Sequence, residues 1–206
     1  MFQKANSEII LIISMLAILS CLFAVPSSSA QSELHQKALQ SFQNFTSLGD
    51  QERMNAAAQM SADEKTMIMM GAAQMTQEVN ETIAGMSPAE LQKATIYLLR
   101  FGNFTSQQNG TQAEGLAKIL SVNDNEFLRF ERFMITNGPD LHVYFTNGED
   151  IKSGMDLGTL KGNVGAQNYF LGNIANNYDT VIIASKPFGT VRDFKSKILS
   201  LNLHTN

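Results

Sequence analysis

Residues Asn137–Val191 read NGPDLHVYFTNGEDIKSGMDLGTLKGNVGAQNYFLGNIANNYDTVIIASKPFGTV. Asn137-Gly138-Pro139-Asp140 is a strong turn signal, since each of these residues favours backbone angles that end a strand. Leu141, Val143 and Phe145 then alternate with Asp140, His142 and Tyr144, the period of two that a strand imposes. Asn147-Gly148 turns the chain again. Gly158, Gly162 and Gly165 punctuate a glycine-rich connection, and Gln167 to Leu171 and Thr180 to Ala184 read as further strands.

The same pattern extends upstream. Leu116 to Val122 reads as a strand broken by Asn123-Asp124-Asn125. Phe127 to Phe133 follows, with Leu128 and Phe130 on one face and Phe127, Arg129 and Glu131 on the other. Short strands at regular intervals predict a mainly β C-terminal domain, an antiparallel β-sandwich or barrel. About 100 residues can hold one core without disulfides.

From Gln31 to Leu99 the composition differs: Ala, Gln, Glu and Met dominate, all good helix formers. Leu34, Ala38 and Phe42 follow a helical stripe. Ser61 with Asp63 and Glu64 predicts a helix running to about Ile83, with Met67, Met70, Met75 and Val79 on its apolar face and Gly71 as a weak spot. Ser87-Pro88-Ala89-Glu90 is a second start, opening a short amphipathic helix through Leu91, Ala94, Leu98 and Leu99 to Arg100. The expected organisation is therefore a leader over residues 1–30, a small helical region over 31–100, the β domain over 102–191 and a C-terminal tail over 192–206.

Lys4 near the amino terminus, the apolar run Ile9 to Val25, and Ser28-Ser29-Ala30 before Gln31 match the three-part pattern of a secretory signal peptide. An uncleaved anchor is the rival reading and would tie the protein to a membrane; the run of around 17 residues is short for spanning, and its flank is not basic. A lipoprotein cysteine at Cys21 is a third, but Leu22 to Val25 after it stay apolar. All three place the bulk of the chain outside the cytoplasm. Cys21 is the only cysteine, so cleavage would leave a product without a thiol. Four sequons fit an exported surface protein: Asn44, Asn80, Asn103 and Asn109, each followed two residues later by Thr, are glycan acceptors where exposed in a glycosylating host. A net charge of −4 without any Lys/Arg cluster argues against a nucleic-acid partner.

Asn137–Val191 resembles the DM-thirteen domain family, an extracytoplasmic electron-transfer domain often found beside DOMON domains. The pieces that carry the resemblance are Gly138-Pro139-Asp140-Leu141, Val143-Tyr144, Asp156-Leu157-Gly158, Leu160-Lys161-Gly162, Gln167-Asn168-Tyr169 and Lys186-Pro187-Phe188-Gly189, over about Gly102 to Val191. The resemblance implies a β-rich module with a near-invariant cysteine in its late strand, serving as a bare thiol or holding a group such as haem. It implies extracytoplasmic redox or cell-surface proteins as partners. In this chain the family cysteine falls on Ser185, and after Gly189 the sequence departs again with Arg192-Asp193-Phe194-Lys195. A serine oxygen is a hard, poorly acidic donor that neither cycles redox states nor replaces sulfur at a soft metal.

Other side chains have chemistry of their own. His142 shares a strand face with Asp140 and Tyr144 and is expected to be accessible, either as a hydrogen-bonded histidine or as a cofactor ligand beside Tyr144 and Tyr169. Asp140 is expected to fix its turn by accepting backbone hydrogen bonds. The methionines at 54, 60, 67, 69, 70, 75 and 86 suit core packing better than copper. Met134 and Met155 are conceivable thioether donors. Glu149, Asp150 and Asp156 lack the alternation of a calcium loop. No Ser-His-Asp spacing points to a hydrolase, and Ser185 beside Lys186 places neighbours on opposite faces. Two functions follow: a module associated with electron transfer that lacks the family thiol, or a non-catalytic extracytoplasmic binding or structural module.

Overall fold

The computed structural model describes residues 28–106, 111–197 and 199–200; the run Met1–Val25 with Cys21, the sequon at Asn109 and the tail residue His204 lie outside them. The chain divides into two units, Met1–His35 and Gln36–Asn206. No described helix is long and apolar enough to cross a membrane.

Three helices come first: α1 Ser28–Thr46, α2 Asp50–Gln59 and α3 Ala62–Ala73. The predicted start of α3 is met, because Ser61 Oγ accepts from Glu64 N at 3.3 Å while Ser61 N donates to Glu64 Oε2 at 2.8 Å. Its end is not. The helix stops at Ala73 rather than Ile83, and Glu78–Asn80 form strand β1. The buried face is Ile68, Met69, Gly71 and Ala72, not the expected methionine stripe. Gly71 also proves to be a close helix contact, since a Cβ there would lie 2.1 Å from Ala38 O of α1.

The second predicted helix is corrected more sharply. Ser87 and Glu90 do form their capping box, but the helix, α4, is the single turn Pro88–Leu91. Residues Ile96–Asn103 are strand β2, with Ile96 opposite Val122 and Gly102 opposite Ala117. Here β-branched and aromatic side chains with a waiting partner strand override the local helical spacing.

The remaining strands are β3 Thr105–Ser106, β4 Ala113–Val122, β5 Asn125–Ile135, β6 Leu141–Thr146, β7 Met155–Thr159, β8 Val164–Gly172, β9 Thr180–Ser185, β10 Gly189–Lys197 and β11 Leu199–Ser200. They form two sheets, in orders β1-β8-β5-β4-β2-β11 and β3-β10-β9-β6-β7. All pairs are antiparallel except β1 with β8. Facing residues of both sheets make one core: Ala117, Ile119, Leu128, Phe130, Phe133 and Leu171 from the first, Leu141, Val143, Phe145, Val181 and Ile183 from the second. This is a β-sandwich, within the expected fold class.

A bulge sharpens the core. Strict alternation from Phe130 would turn Phe133 away, but the register shifts between them and Arg132 takes φ +48°. Both rings then face inward, 4.9 Å apart, with Phe104 edge-on to each. Fully burying a phenylalanine contributes about 1.5–3 kcal/mol, so this one extra residue sets much of the core's packing. Strand β6 is buried on both faces. Its inner residues join the core, and on the outer face Tyr144 clusters with Ile182 and Ala184 of β9.

Candidate functional site

The burial of β6 corrects the expectation that His142 is accessible: only 7 % of it is exposed. The ring lies between two carboxylates. On one side Nδ1 is 2.9 Å from both oxygens of Asp156, on β7. On the other, Nε2 is 3.6 Å from Asp140 Oδ1 and 3.4 Å from Thr159 Oγ1. The register explains the convergence, since His142 stands opposite Thr159 on β7 and opposite Ala184 on β9. Asp156 is oriented locally by accepting from Gly158 N at 2.9 Å, with Gly158 at φ +102°.

Each carboxylate is also held by a cation. Asp140 Oδ2 accepts from Arg53 Nε of α2 at 3.2 Å, and Lys186 Nζ is 3.6 Å from Asp156 Oδ2. The side chains thus alternate in sign: Arg53, Asp140, His142, Asp156, Lys186. Asp140 takes φ +50°, and its backbone oxygen accepts from Lys186 N at 3.0 Å. Its carboxylate therefore holds a long-range ion pair rather than capping its own turn as expected.

The electrostatic consequences agree. Asp140, and secondarily Asp156, raise the His142 pKa above its ordinary value against the opposing effect of burial. His142 and then Arg53 hold Asp140 below the usual carboxylate range, outweighing burial. For Asp156, burial acts upward, but His142, Gly158 N–H and Lys186 together bring it down. The Tyr144 hydroxyl is pushed up to about 12, first by burial and then by the two carboxylates.

Asp156, His142 and Thr159 have the outline of a carboxylate–imidazole–hydroxyl triad, a juxtaposition the sequence spacing did not reveal. Its chemistry differs from a hydrolase. A general base must be neutral, and here the second carboxylate, Asp140, favours the imidazolium. The neighbouring backbone N–H groups of Leu160, Lys161 and Gly162 are spent on Leu141 O and Gln167 Oε1, so none of these three serves an oxyanion. The arrangement sets charges of alternating sign around one imidazole, with Asp140 and Asp156 both favouring its protonated form.

Ser185 lies apart from this cluster. It is opposite Leu141 and Gly189, next to Ala184 on β9 and so on the inner side of the sheet with Val181 and Ile183. Only 1 % of it is exposed, and Oγ accepts from Phe188 N at 3.4 Å. Phe188 in turn stacks on Phe45 of α1, ring centres 5.1 Å apart. Tyr169 is elsewhere again, in the other sheet. Its hydroxyl donates to Gln167 Oε1 at 2.9 Å, and burial drives its pKa upward. The remaining motif residues shape the loop before β8. Buried Gln167 accepts from Lys161 N and Gly162 N and donates to Gly162 O, while Asn168 donates to Glu81 and Thr82. Gly162 is required because a Cβ would come within 2.6 Å of Gln77 O.

A cavity of about 140 Å³ adjoins the cluster, walled by Asn137–Leu141 without Pro139, by Thr159, Leu160, Gly162 and Asn163, and by Phe42 and Gln77. Haem does not fit these residues. Both nitrogens of His142 face carboxylate or hydroxyl oxygens, and the cavity is well below the roughly 300–1,000 Å³ of small-molecule sites. Among the described residues no three His, Cys, Asp or Glu side chains converge as a metal would need. The side chains of Asn44, Asn80 and Asn103 are exposed.

Residues 103–191 match the family model described as electron transfer DM13. The part of the sandwich from the end of β2 to the start of β10 is accordingly a DM13-like domain; the match begins one residue after the Gly102 limit read from the motif pieces and ends at the same Val191. No curated protein and no solved structure matches the chain.

Proposed function

We propose that this chain is an exported DM13-like module that takes part in extracytoplasmic assemblies by binding, without itself carrying electrons. The carrying observation is Ser185. By the resemblance it stands where the family has its cysteine, it is sealed in the sandwich, and its oxygen accepts a hydrogen bond from Phe188 N. A buried hydroxyl has no accessible ionised form at neutral pH and no second oxidation state within reach of a protein partner. Residues 31–206 contain no thiol that could substitute for it. The leader pattern and the extracytoplasmic type of the domain support export. The motif end of the sandwich, where Asp140 belongs both to the charge cluster and to the wall of the small cavity, is where we look for that binding.

The test is purification from the native host, followed by intact mass, elemental analysis and a visible spectrum. The reading expects a colourless chain beginning near Gln31, with no stoichiometric metal. A Soret band, bound iron or copper at one per chain, or a retained leader on a cytoplasmic protein would overturn it.

A further inference from the structure

The helices meet the sandwich at the motif end through few, specific contacts. Arg53 of α2 reaches Asp140 at 3.2 Å, with both side chains largely buried. Phe188 lodges on Phe45 beside a small apolar cluster that also includes Ala57 and Ile68. Arg53 is itself fixed by donating to Leu48 O at 2.7 Å and by pairing with Asp50. Asp140 is thus the shared element, Oδ2 on the helix side and Oδ1 toward His142.

The proton count of His142 decides what Asp140 meets. The imidazolium carries N–H on both nitrogens, directing one to Asp156 and the other toward Asp140 and Thr159. A neutral ring keeps only one. With Asp156 placing two oxygens at 2.9 Å from Nδ1, that proton stays on Nδ1, and the Nε2 lone pair then faces the Asp140 carboxylate. Attraction becomes repulsion at a residue already held at φ +50°.

We propose that His142 is a proton-operated clasp: protonated, it presses Asp140 against Arg53 and holds the helices α2 and α3 on the motif end; deprotonated, it loosens them. The groups facing the ring are Asp140 and Tyr144 from β6, Asp156 and Thr159 from β7, Lys186 after β9, and, through Asp140, Arg53 and Asp50 from α2. Tyr144 is pushed up to about 12 and both carboxylates are held below the usual carboxylate range, so among the ring and these acidic neighbours His142 is the member that titrates as pH rises past its ordinary value. The sign follows: its raised pKa makes the clasp complete below about pH 6.5, the unfolded value, and undone as pH rises through the folded value. This inference is independent of whether the module binds partners or carries electrons.

Amide hydrogen exchange of the full chain between pH 5 and 9.5, corrected for intrinsic rates, reads the clasp directly. Protection in α2 and α3 is expected to fall at least about fivefold as pH rises through the His142 transition, the low end of ordinary site coupling, while β5 and β8 keep theirs. His142→Gln should abolish that step, leaving low protection in the helices at every pH. Should it not fold, Arg53→Gln decides, because it removes the helix-side partner and should also abolish the step. Wild-type helices equally protected across the range, or an unchanged step in Arg53→Gln, would overturn the proposal.

Discussion

Replacing Ser185 by Cys restores the atom that the family resemblance expects, and the structure sets the size of the effect. The hydroxyl lies 3.4 Å from Phe188 N, a long contact at the weak end of a range of about 0.5–1.5 kcal/mol for a net hydrogen bond. Opposing this, a sulfur atom opposite Leu141, on the inner face that Ser185 shares with Ile183, gains apolar burial, while its greater bulk must be absorbed by a closed core. These contributions nearly cancel, so the stability change should be within about 1 kcal/mol, or about 2–4 °C in melting temperature for a domain of this size. With 1 % exposure the new thiol should react with an aromatic disulfide reagent only as fast as the domain opens, and at full rate in denaturant. Calorimetry and a thiol-reaction time course check both halves. A loss above about 3 kcal/mol, or a thiol that reacts immediately in the native state, would refute the placement of Ser185 inside a closed, sulfur-compatible site.

Four further outcomes follow from particular contacts. Gln167→Leu strands Gly162 O and leaves the Tyr169 hydroxyl without its acceptor, while Lys161 N keeps only its 3.3 Å contact to that hydroxyl, so urea unfolding should show a loss on the order of 2 kcal/mol, beyond the change in side-chain volume. Gly71→Ala puts a methyl 2.1 Å from Ala38 O; the helices must part, at a cost of about 1–3 kcal/mol seen by thermal melting with helical circular dichroism. Phe188→Ala removes the ring stacked on Phe45 and should cost about 1–3 kcal/mol, with exchange protection lost in α1 and α2 before the strands. Stability against pH should be greatest between about pH 4 and 6.5: Asp140 and Asp156, depressed in the fold, lose their contribution as pH falls through their folded values, and His142, raised in the fold, loses its own as pH climbs through its folded value. Chemical denaturation at a series of pH values gives that curve.

Much of the sandwich was legible because its signals are local. Alternation gave β6, turn residues gave the Asn137–Asp140 and Asn147-Gly148 corners, and helices start both at Ser61 and at the capping box of Ser87 with Glu90, where the starts were read. What failed depended on partners distant in sequence. Leu91, Ala94 and Leu98 keep a helical spacing, yet Ile96–Asn103 pairs with β4, and no local pattern contains β4. Phe133 was lost to alternation by a single bulge residue.

The site shows the same division. The motif pieces marked Asp140 and Asp156, and His142 stood out by its own chemistry, but it looked accessible because β6 alternates like a half-exposed strand. Asp140 finds Arg53 from 87 residues away, which no spacing rule anticipates. Thr159 comes to His142 only through the β6–β7 register. Ser185 was correctly read as facing away from Lys186, but its enclosure by the core needed the second sheet.

The proposed function requires that the DM13-like scaffold of this chain carry no redox centre of its own. Protein-film voltammetry of the mature chain, swept across the range of biological potentials at pH 6 and pH 8, tests it most directly. No faradaic wave above that of the bare electrode is expected at either pH. A reversible wave corresponding to one electron or two per chain, persisting after dialysis against chelator, would contradict it.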